Sequence, residues 1–132
     1  MNIVDSCGWL EHFLAGPNAD FFAPVLQDAD HLMVSALSVF EVCRRVVTLY
    51  GADQAEVVHR AMASLPVVQL DAAGMHLAAL NSVKHKLHMA DAIIWQTAQA
   101  HGARLYTQDA ALSGLPGVVY QAKPLFAAAT TP

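Results

Sequence analysis

The chain has little charge and no extended apolar or low-complexity segment. Of its 132 residues only 14% are charged, while 55% are hydrophobic, which favours one folded core over disorder. No run approaches the roughly 20 apolar residues of a membrane span. The N-terminus has no basic region typical of a signal peptide. We expect a cytoplasmic protein without a membrane segment, folded as one domain over residues 1–132, with a core of residues 1–121 and a tail of residues 122–132.

Cysteine and the common cofactor motifs are also scarce. Two cysteines, Cys7 and Cys43, fit a reduced protein, and both fall in predicted helices, where cysteine is usually a small apolar side chain. No glycine-rich phosphate loop is present, which argues against the common nucleotide-binding folds. No CxxC, HExxH or clustered histidine spacing supports zinc.

Short apolar runs alternate with helical patterns along the whole chain. Alternation of this kind predicts a three-layer α/β/α domain around a mostly parallel sheet of four to five strands. The predicted strands are 1–4, 31–35, 67–70, 105–107 and 118–120. The predicted helices are 6–14, 18–27 with a break at Pro24, 38–50, 52–65, 71–86 and 90–101.

Four acidic residues stand where strands meet helices or where helices begin. They are Asp5, Glu41, Asp91 and Asp109, in a chain with only 11 acidic residues. In a parallel sheet, ligands bind beyond the carboxyl ends of the strands, where Asp5 and Asp109 are predicted to lie. Carboxylates gathered at one edge repel each other unless a cation lies between them, and Mg²⁺ or Mn²⁺ prefers such oxygen ligands. The placement therefore indicates metal-assisted phosphate chemistry.

Each acid also has a purely structural interpretation. Asp5 could cap the first helix, although Ser6 is equally able to do so. Glu41 follows Ser38 in an S-x-x-E capping box, and Asp91 suits the positive end of a helix dipole. Asp109 is a common turn residue. The remaining acids are predicted to be surface charges or, for Asp71, a helix start; those on the surface are Glu11, Asp20, Asp28, Asp30, Asp53 and Glu56.

The net charge of −4 argues against simple electrostatic binding of nucleic acid. However, the 11 acidic residues less the four at the predicted metal site leave seven, which balance the seven Lys and Arg residues. A bound cation reverses the local effect of those four carboxylates. The one basic cluster, residues 84–88, is compatible either with phosphate contact or with a solvated helix end.

In its motifs the chain resembles PIN-domain proteins, particularly the VapC toxins of type II toxin–antitoxin pairs. The motifs are Ile3 to Glu11, Ser35 to Val42, Ala90 to Ala98, Leu105 to Asp109, and Leu115 to Val118, which together span about residues 1–121. The resemblance implies an endoribonuclease that depends on Mg²⁺ or Mn²⁺ and hydrolyses RNA phosphodiester bonds. It further implies a homodimer, silenced by a cognate VapB-like antitoxin.

The resemblance also assigns roles to individual residues. Asp5, Glu41, Asp91 and Asp109 match the family's four metal-binding and catalytic acids, and Ser6 and Thr107 match positions that support the site through hydroxyl hydrogen bonds. Two other functions remain open at this stage. One is a catalytically silent PIN-like module that binds RNA or protein, and the other is a small phosphatase.

Overall fold

Five parallel strands form one sheet at the centre of the molecule. The computed structural model describes residues 1–124, so the part of the expected tail beyond residue 124 lies outside the described residues. The strands are β1 (Asn2–Val4), β2 (Leu32–Ser35), β3 (Val67–Val68), β4 (Arg104–Thr107) and β5 (Val118–Tyr120). Their order is β3-β2-β1-β4-β5, and every neighbouring pair is parallel. The predicted parallel α/β architecture is confirmed.

Six α-helices within residues 1–124 cover the two faces of this sheet. They are α1 (Ser6–Phe13), α2 (Ala19–Gln27), α3 (Ala36–Tyr50), α4 (Ala52–Ala63), α5 (Ala72–His85) and α6 (Met89–Ala100). Because side chains alternate along a strand, Val4 and Val34 enter a core with α1 to α4, whereas Ile3 and Leu105 enter a second core with α6. The result is three layers.

The strand order reverses between β1 and β4, which is the point that creates a crevice in an open parallel sheet. From β1 the chain builds outward to β2 and β3, and it then returns to place β4 on the other side of β1. The backbone N–H of Asp5 donates to the carbonyl of Tyr106 at 2.9 Å, so the two strands remain paired up to the crevice. A ligand of such a fold binds beyond these carboxyl ends.

The start of α3 differs from the prediction. The helix begins at Ala36, directly after β2, with Ser35 as its N-cap. Ser38 therefore lies inside the first turn, fully buried, and within the described residues its hydroxyl has no hydrogen-bond partner. The predicted capping box between Ser38 and Glu41 does not form, which removes the structural reason for an acid at position 41.

A smaller prediction was also wrong. α2 continues through Pro24, which is exposed, because losing one backbone donor in a nine-residue helix does not end it when the freed carbonyl can be solvated. Asp71, by contrast, caps α5 as expected, and its side chain accepts a hydrogen bond from the backbone N–H of Gly74 at 2.8 Å.

Within residues 1–124, no helix combines the length and the apolar character that a bilayer span requires.

Candidate metal centre

Three of the four predicted acids meet at the crevice between β1 and β4. Asp5 follows β1, Asp109 follows β4, and Asp91 lies in the first turn of α6. One carboxylate oxygen from each can be chosen so that all three lie within 4.8 Å of one another. The fold thus brings Asp5 next to two residues that are more than 80 positions away in sequence. We call Asp5, Asp91 and Asp109 the acidic triad.

Asp5 is the most constrained member of the acidic triad. It is buried and caps α1: its Oδ1 accepts a hydrogen bond from the backbone N–H of Ser6 at 2.8 Å. Its Oδ2 accepts one from the hydroxyl of Thr107 at 2.8 Å. Of the two candidate caps of α1, Asp5 is the one that caps the helix, because Ser6 is already the first helical residue. Capping and a place in the triad are therefore compatible for one carboxylate.

Thr107 connects two members of the triad. Its side chain is fully buried at the end of β4, and its hydroxyl both donates to Asp5 and accepts from the backbone N–H of Asp109 at 3.0 Å. The carboxylate of Asp109 in turn accepts from the N–H of Ala111 at 2.9 Å, at the start of a 3₁₀ turn. This hydrogen-bonded chain fixes the loop that carries Asp109.

Glu41 stands beside the triad rather than within it. It lies in the second turn of α3, and the hydroxyl of Ser6 is 2.7 Å from its Oε1. The same hydroxyl is 3.3 Å from Oδ1 of Asp5, so Ser6 lies between the two carboxylates and donates its proton at the shorter distance to Glu41. The four predicted acids therefore form one continuous site, with Glu41 at its edge.

The electrostatics of the site favour a cation. Burial, followed by the charges of Asp109 and Asp5, raises the pKa of Asp91 to about 7. Burial also raises the pKa of Asp5, although the hydrogen bonds from Thr107, Cys7 and Ser6 oppose that shift. A metal ion among these carboxylates would offset their repulsion. A donor set made only of carboxylate oxygens suits Mg²⁺ or Mn²⁺ and gives no preference to soft metals.

Cys7 belongs to the surroundings of the site, which the sequence did not suggest. Its Sγ lies 3.4 Å from Oδ2 of Asp5 and 3.5 Å from the hydroxyl of Thr107. Burial and the neighbouring Asp5 charge raise the pKa of the Cys7 thiol to about 12. The thiol therefore remains protonated at neutral pH and acts as a weak hydrogen-bond donor to Asp5, in addition to filling space.

Glu11 was predicted to be a surface charge, and that prediction was wrong. Its side chain is buried and accepts a hydrogen bond from the amide of Gln108, whose carbonyl accepts one from Asn18 at 3.1 Å. A Cβ at Gly16 would overlap Oε1 of Glu11, so only glycine leaves room for this arrangement. Glu11 lies four residues after Cys7 on the same face of α1, a spacing that could have indicated its burial. The network holds the β4 loop immediately before Asp109.

The basic cluster at residues 84–88 forms the end of α5 and the start of α6. Lys86 ends α5 in a left-handed conformation (φ 56°), and Lys84 and His88 are exposed beside it. His85 instead turns inward, with its ring 5.2 Å from that of Trp95 in an edge-to-face contact. Cations suit the negative end of a helix, so the structural interpretation of this cluster is sufficient.

Comparisons with known proteins agree with this geometry. A family profile described as the PIN domain matches residues 3–117. A toxin–antitoxin complex from Klebsiella pneumoniae contains a similar chain, with 20% identity, 90% of this chain and 96% of that chain covered, and a TM-score of 0.72. FitAcB from Neisseria gonorrhoeae gives 20% identity, coverage of 91% and 96%, and a TM-score of 0.67.

A third similar structure is VapBC2 from Rickettsia felis, described as bound to a DNA fragment from their promoter. It gives 12% identity, coverage of 92% of this chain and 97% of that chain, and a TM-score of 0.70. At these identities the similar structures show the fold, and the similarity extends over nearly the whole of this chain. No curated protein matches the chain by sequence.

Proposed function

Because this chain belongs to the PIN-domain family, we propose that it is a metal-dependent endoribonuclease and the toxin of a type II toxin–antitoxin pair. The observation that carries the proposal is the acidic triad, whose three carboxylates converge within 4.8 Å at the crevice of the sheet. A scaffold gains nothing from concentrating negative charge there, since each carboxylate raises the free energy of the others. A site for Mg²⁺ or Mn²⁺ explains the arrangement.

Each residue of the site has a separate role in the proposed reaction. Asp5, Asp91 and Asp109 would hold the divalent ion. When bound, such an ion lowers the pKa of its water, polarises the phosphate and stabilises the leaving oxygen. Thr107 fixes the rotamer of Asp5, so that this carboxylate does not have to reorganise during the reaction. Glu41, held by Ser6 at the edge of the site, can accept a proton from the attacking water.

The toxin assignment rests on similar structures. The similar chain from Klebsiella pneumoniae is part of a toxin–antitoxin complex, and VapBC2 from Rickettsia felis is described as bound to a DNA fragment from their promoter. We propose that this chain likewise has a cognate VapB-like antitoxin, acts as a homodimer and works in the cytoplasm. Expression of the chain alone should then arrest growth, and co-expression of the antitoxin gene should restore it.

The test is cleavage of total cellular RNA by the purified, antitoxin-free protein. Wild type, Asp5→Asn and an EDTA control are compared with Mg²⁺ and with Mn²⁺. Discrete fragments that require both the metal and Asp5 support the proposal, and mapping their ends identifies the target. Asp20→Asn is the matched control, because it removes one exposed acidic charge from α2, outside the site.

Two other outcomes would replace the proposal. A folded protein that binds RNA or a protein partner but never cleaves, even with Mn²⁺, is a catalytically silent PIN-like module. Hydrolysis of phosphomonoesters without cleavage of RNA would indicate a small phosphatase that uses the same carboxylates.

A further inference from the structure

A groove leads away from the acidic triad between α1 and α3. Its first part, about 480 Å³ in volume, is lined by Ser6, Leu10, Phe40, Glu41, Arg44 and Arg45. Ser6 and Glu41 also border the metal centre, so this part of the groove opens directly beside it. The volume lies within the range of sites that hold small ligands.

A second part, about 340 Å³ in volume, continues the first and shares Cys7, Leu10 and Arg45 with it. It follows α1, with Cys7, Leu10, Glu11 and Leu14 on its wall, and it reaches Lys123. The eight residues of α1 rise about 12 Å. The two parts together form what we call the α1–α3 groove, and it is long enough for several linked residues of a polymer.

The α1–α3 groove concentrates the positive charge of an acidic protein. Three of the seven Lys and Arg residues line it, namely Arg44, Arg45 and Lys123. Arg44 and Arg45 are exposed, and neither forms an ion pair with any residue in 1–124. Glu41 is three and four residues before them on the same helix, but it bonds to Ser6 instead.

The groove also presents an aromatic ring to solvent. Phe40 is 64% exposed, one turn before Arg44 on α3, although it is among the most apolar residues of that helix. Glu11, the other carboxylate on the groove wall, is only 5% exposed and turned toward Gln108. Among residues 1–124, the accessible surface of the groove therefore combines two guanidinium groups that form no ion pair with one aromatic ring that packs on no other ring.

We propose that the α1–α3 groove binds single-stranded RNA that flanks the scissile bond, with phosphates on Arg44 and Arg45 and a base stacked on Phe40. Free guanidinium groups bind phosphate oxygens through paired hydrogen bonds. Unstacked bases pack on exposed aromatic rings beside cations, which a closed duplex does not allow. This inference rests on the proposed ribonuclease function and names the strand form and the residues that position it.

The test separates RNA binding from cleavage. Anisotropy of a fluorescein-labelled oligouridylate, measured in EDTA over a range of salt concentrations, reports binding alone, and a mixed-sequence RNA duplex serves as the second probe. The variants are Arg44→Gln/Arg45→Gln and Phe40→Leu. The matched control is Arg60→Gln/Arg104→Gln, which removes the same charge from α4 and from the start of β4, both outside the groove. All of these side chains are exposed, and thermal unfolding verifies that each variant folds.

The expected results differ between variants. The double arginine variant should bind the single strand about tenfold more weakly. The plot of the logarithm of the binding constant against the logarithm of the salt concentration should also become less steep by about 1.4, since each phosphate contact on a single strand contributes about 0.7 to the slope. Phe40→Leu should weaken single-strand binding by about fivefold or more and leave the salt slope unchanged. With Mn²⁺ and a cleavable RNA, both variants should raise KM while kcat stays within about twofold.

Several results would overturn the inference. These are equal binding by wild type and both variants, equal losses in the control pair, or a wild type that prefers the duplex. Loss of a co-expressed protein partner with unchanged RNA binding would also overturn it, and would assign the groove to that protein. Failure of the groove is distinguishable from failure of the proposed function. If the groove variants cleave RNA as well as wild type does, only the proposed role of the groove is refuted. If wild type binds RNA through Arg44 and Arg45 but never cleaves it, only the proposed nuclease function is refuted.

Discussion

Replacing Asp91 with asparagine should stabilise the metal-free protein while abolishing its activity. The side chain of Asp91 is half-buried, and one of its oxygens lies within 4.8 Å of oxygens of both Asp5 and Asp109. Two unit charges at that separation repel by about 3.5 kcal/mol at an effective dielectric constant of ~20, and by about 1 kcal/mol in water. Because Asp91 is partly exposed, screening reduces the gain, and we expect Asp91→Asn to add about 1–3 kcal/mol at about pH 8.

The raised pKa of Asp91 determines how the stability of the metal-free protein changes with pH. The folded protein raises the pKa of Asp91 to about 7 through burial and the charges of Asp109 and Asp5, against 3.8 for a free side chain. Between those values the folded state binds more protons than the unfolded state, so the stability of the metal-free wild type falls as pH rises from about 4 through 7. The advantage of Asp91→Asn should therefore be largest at about pH 8 and vanish below about pH 4, where the side chain is protonated in both states.

Urea unfolding of both proteins in EDTA, across this pH range, measures the difference. A hydrogen bond with Asp109 is among the causes that raise the pKa of Asp91, and an asparagine amide can donate to Asp109 in place of the protonated carboxyl. Adding Mn²⁺ at about pH 8 should stabilise wild type but not the variant, because only wild type retains the full ligand set. A variant less stable than wild type at about pH 8, or a difference that does not change with pH, would refute the repulsive cluster.

Three further outcomes follow from the contacts around the site. Ser6→Ala removes the hydroxyl 2.7 Å from Glu41 and should lower kcat about tenfold with unchanged folding, as measured by RNA cleavage and circular dichroism; an unaltered kcat would contradict a role for Glu41. Cys7 should resist iodoacetamide at about pH 8 and react only after unfolding, because burial raises the pKa of its thiol to about 12; rapid labelling of Cys7 in the folded protein, located by mass spectrometry, would disprove this. Gly8→Ala places a Cβ within 2.5 Å of Val4 and 2.6 Å of Phe22 and should cost about 1–3 kcal/mol by urea unfolding; a neutral result would mean that α1 can move away from β1.

Much of the fold was predictable because it depends on local patterns. Each buried strand is a short apolar run, and each helix carries apolar residues at helical spacing, so the α/β class and the number of elements followed directly. The start of α3 did not, because Ser35 and Ser38 are both acceptable caps and only the end of β2 decides between them. Pro24 was misleading for a similar reason, since its cost depends on whether a neighbouring carbonyl reaches water.

The acids of the site were predictable from their positions at strand ends, but their surroundings were not. Asp5, Asp91 and Asp109 converge because the strand order places β1 beside β4, a contact between distant parts of the sequence. The burial of Glu11 depends on Gln108 and on the small size of Gly16, which no local pattern records. The same holds for Arg44 and Arg45, whose proposed contacts with RNA depend on the groove that α1 forms beside them.

The rate of RNA cleavage as a function of Mn²⁺ concentration, for wild type and for Asp109→Asn, tests most directly whether the acidic triad is a catalytic metal centre. Asp109 suits this test because it is only partly buried, so its replacement should leave the fold intact. We predict that the wild-type rate rises with Mn²⁺ and saturates, and that the variant stays at background at every concentration. Cleavage that needs no metal, or a variant that follows the wild-type curve, would contradict a metal centre built on these carboxylates.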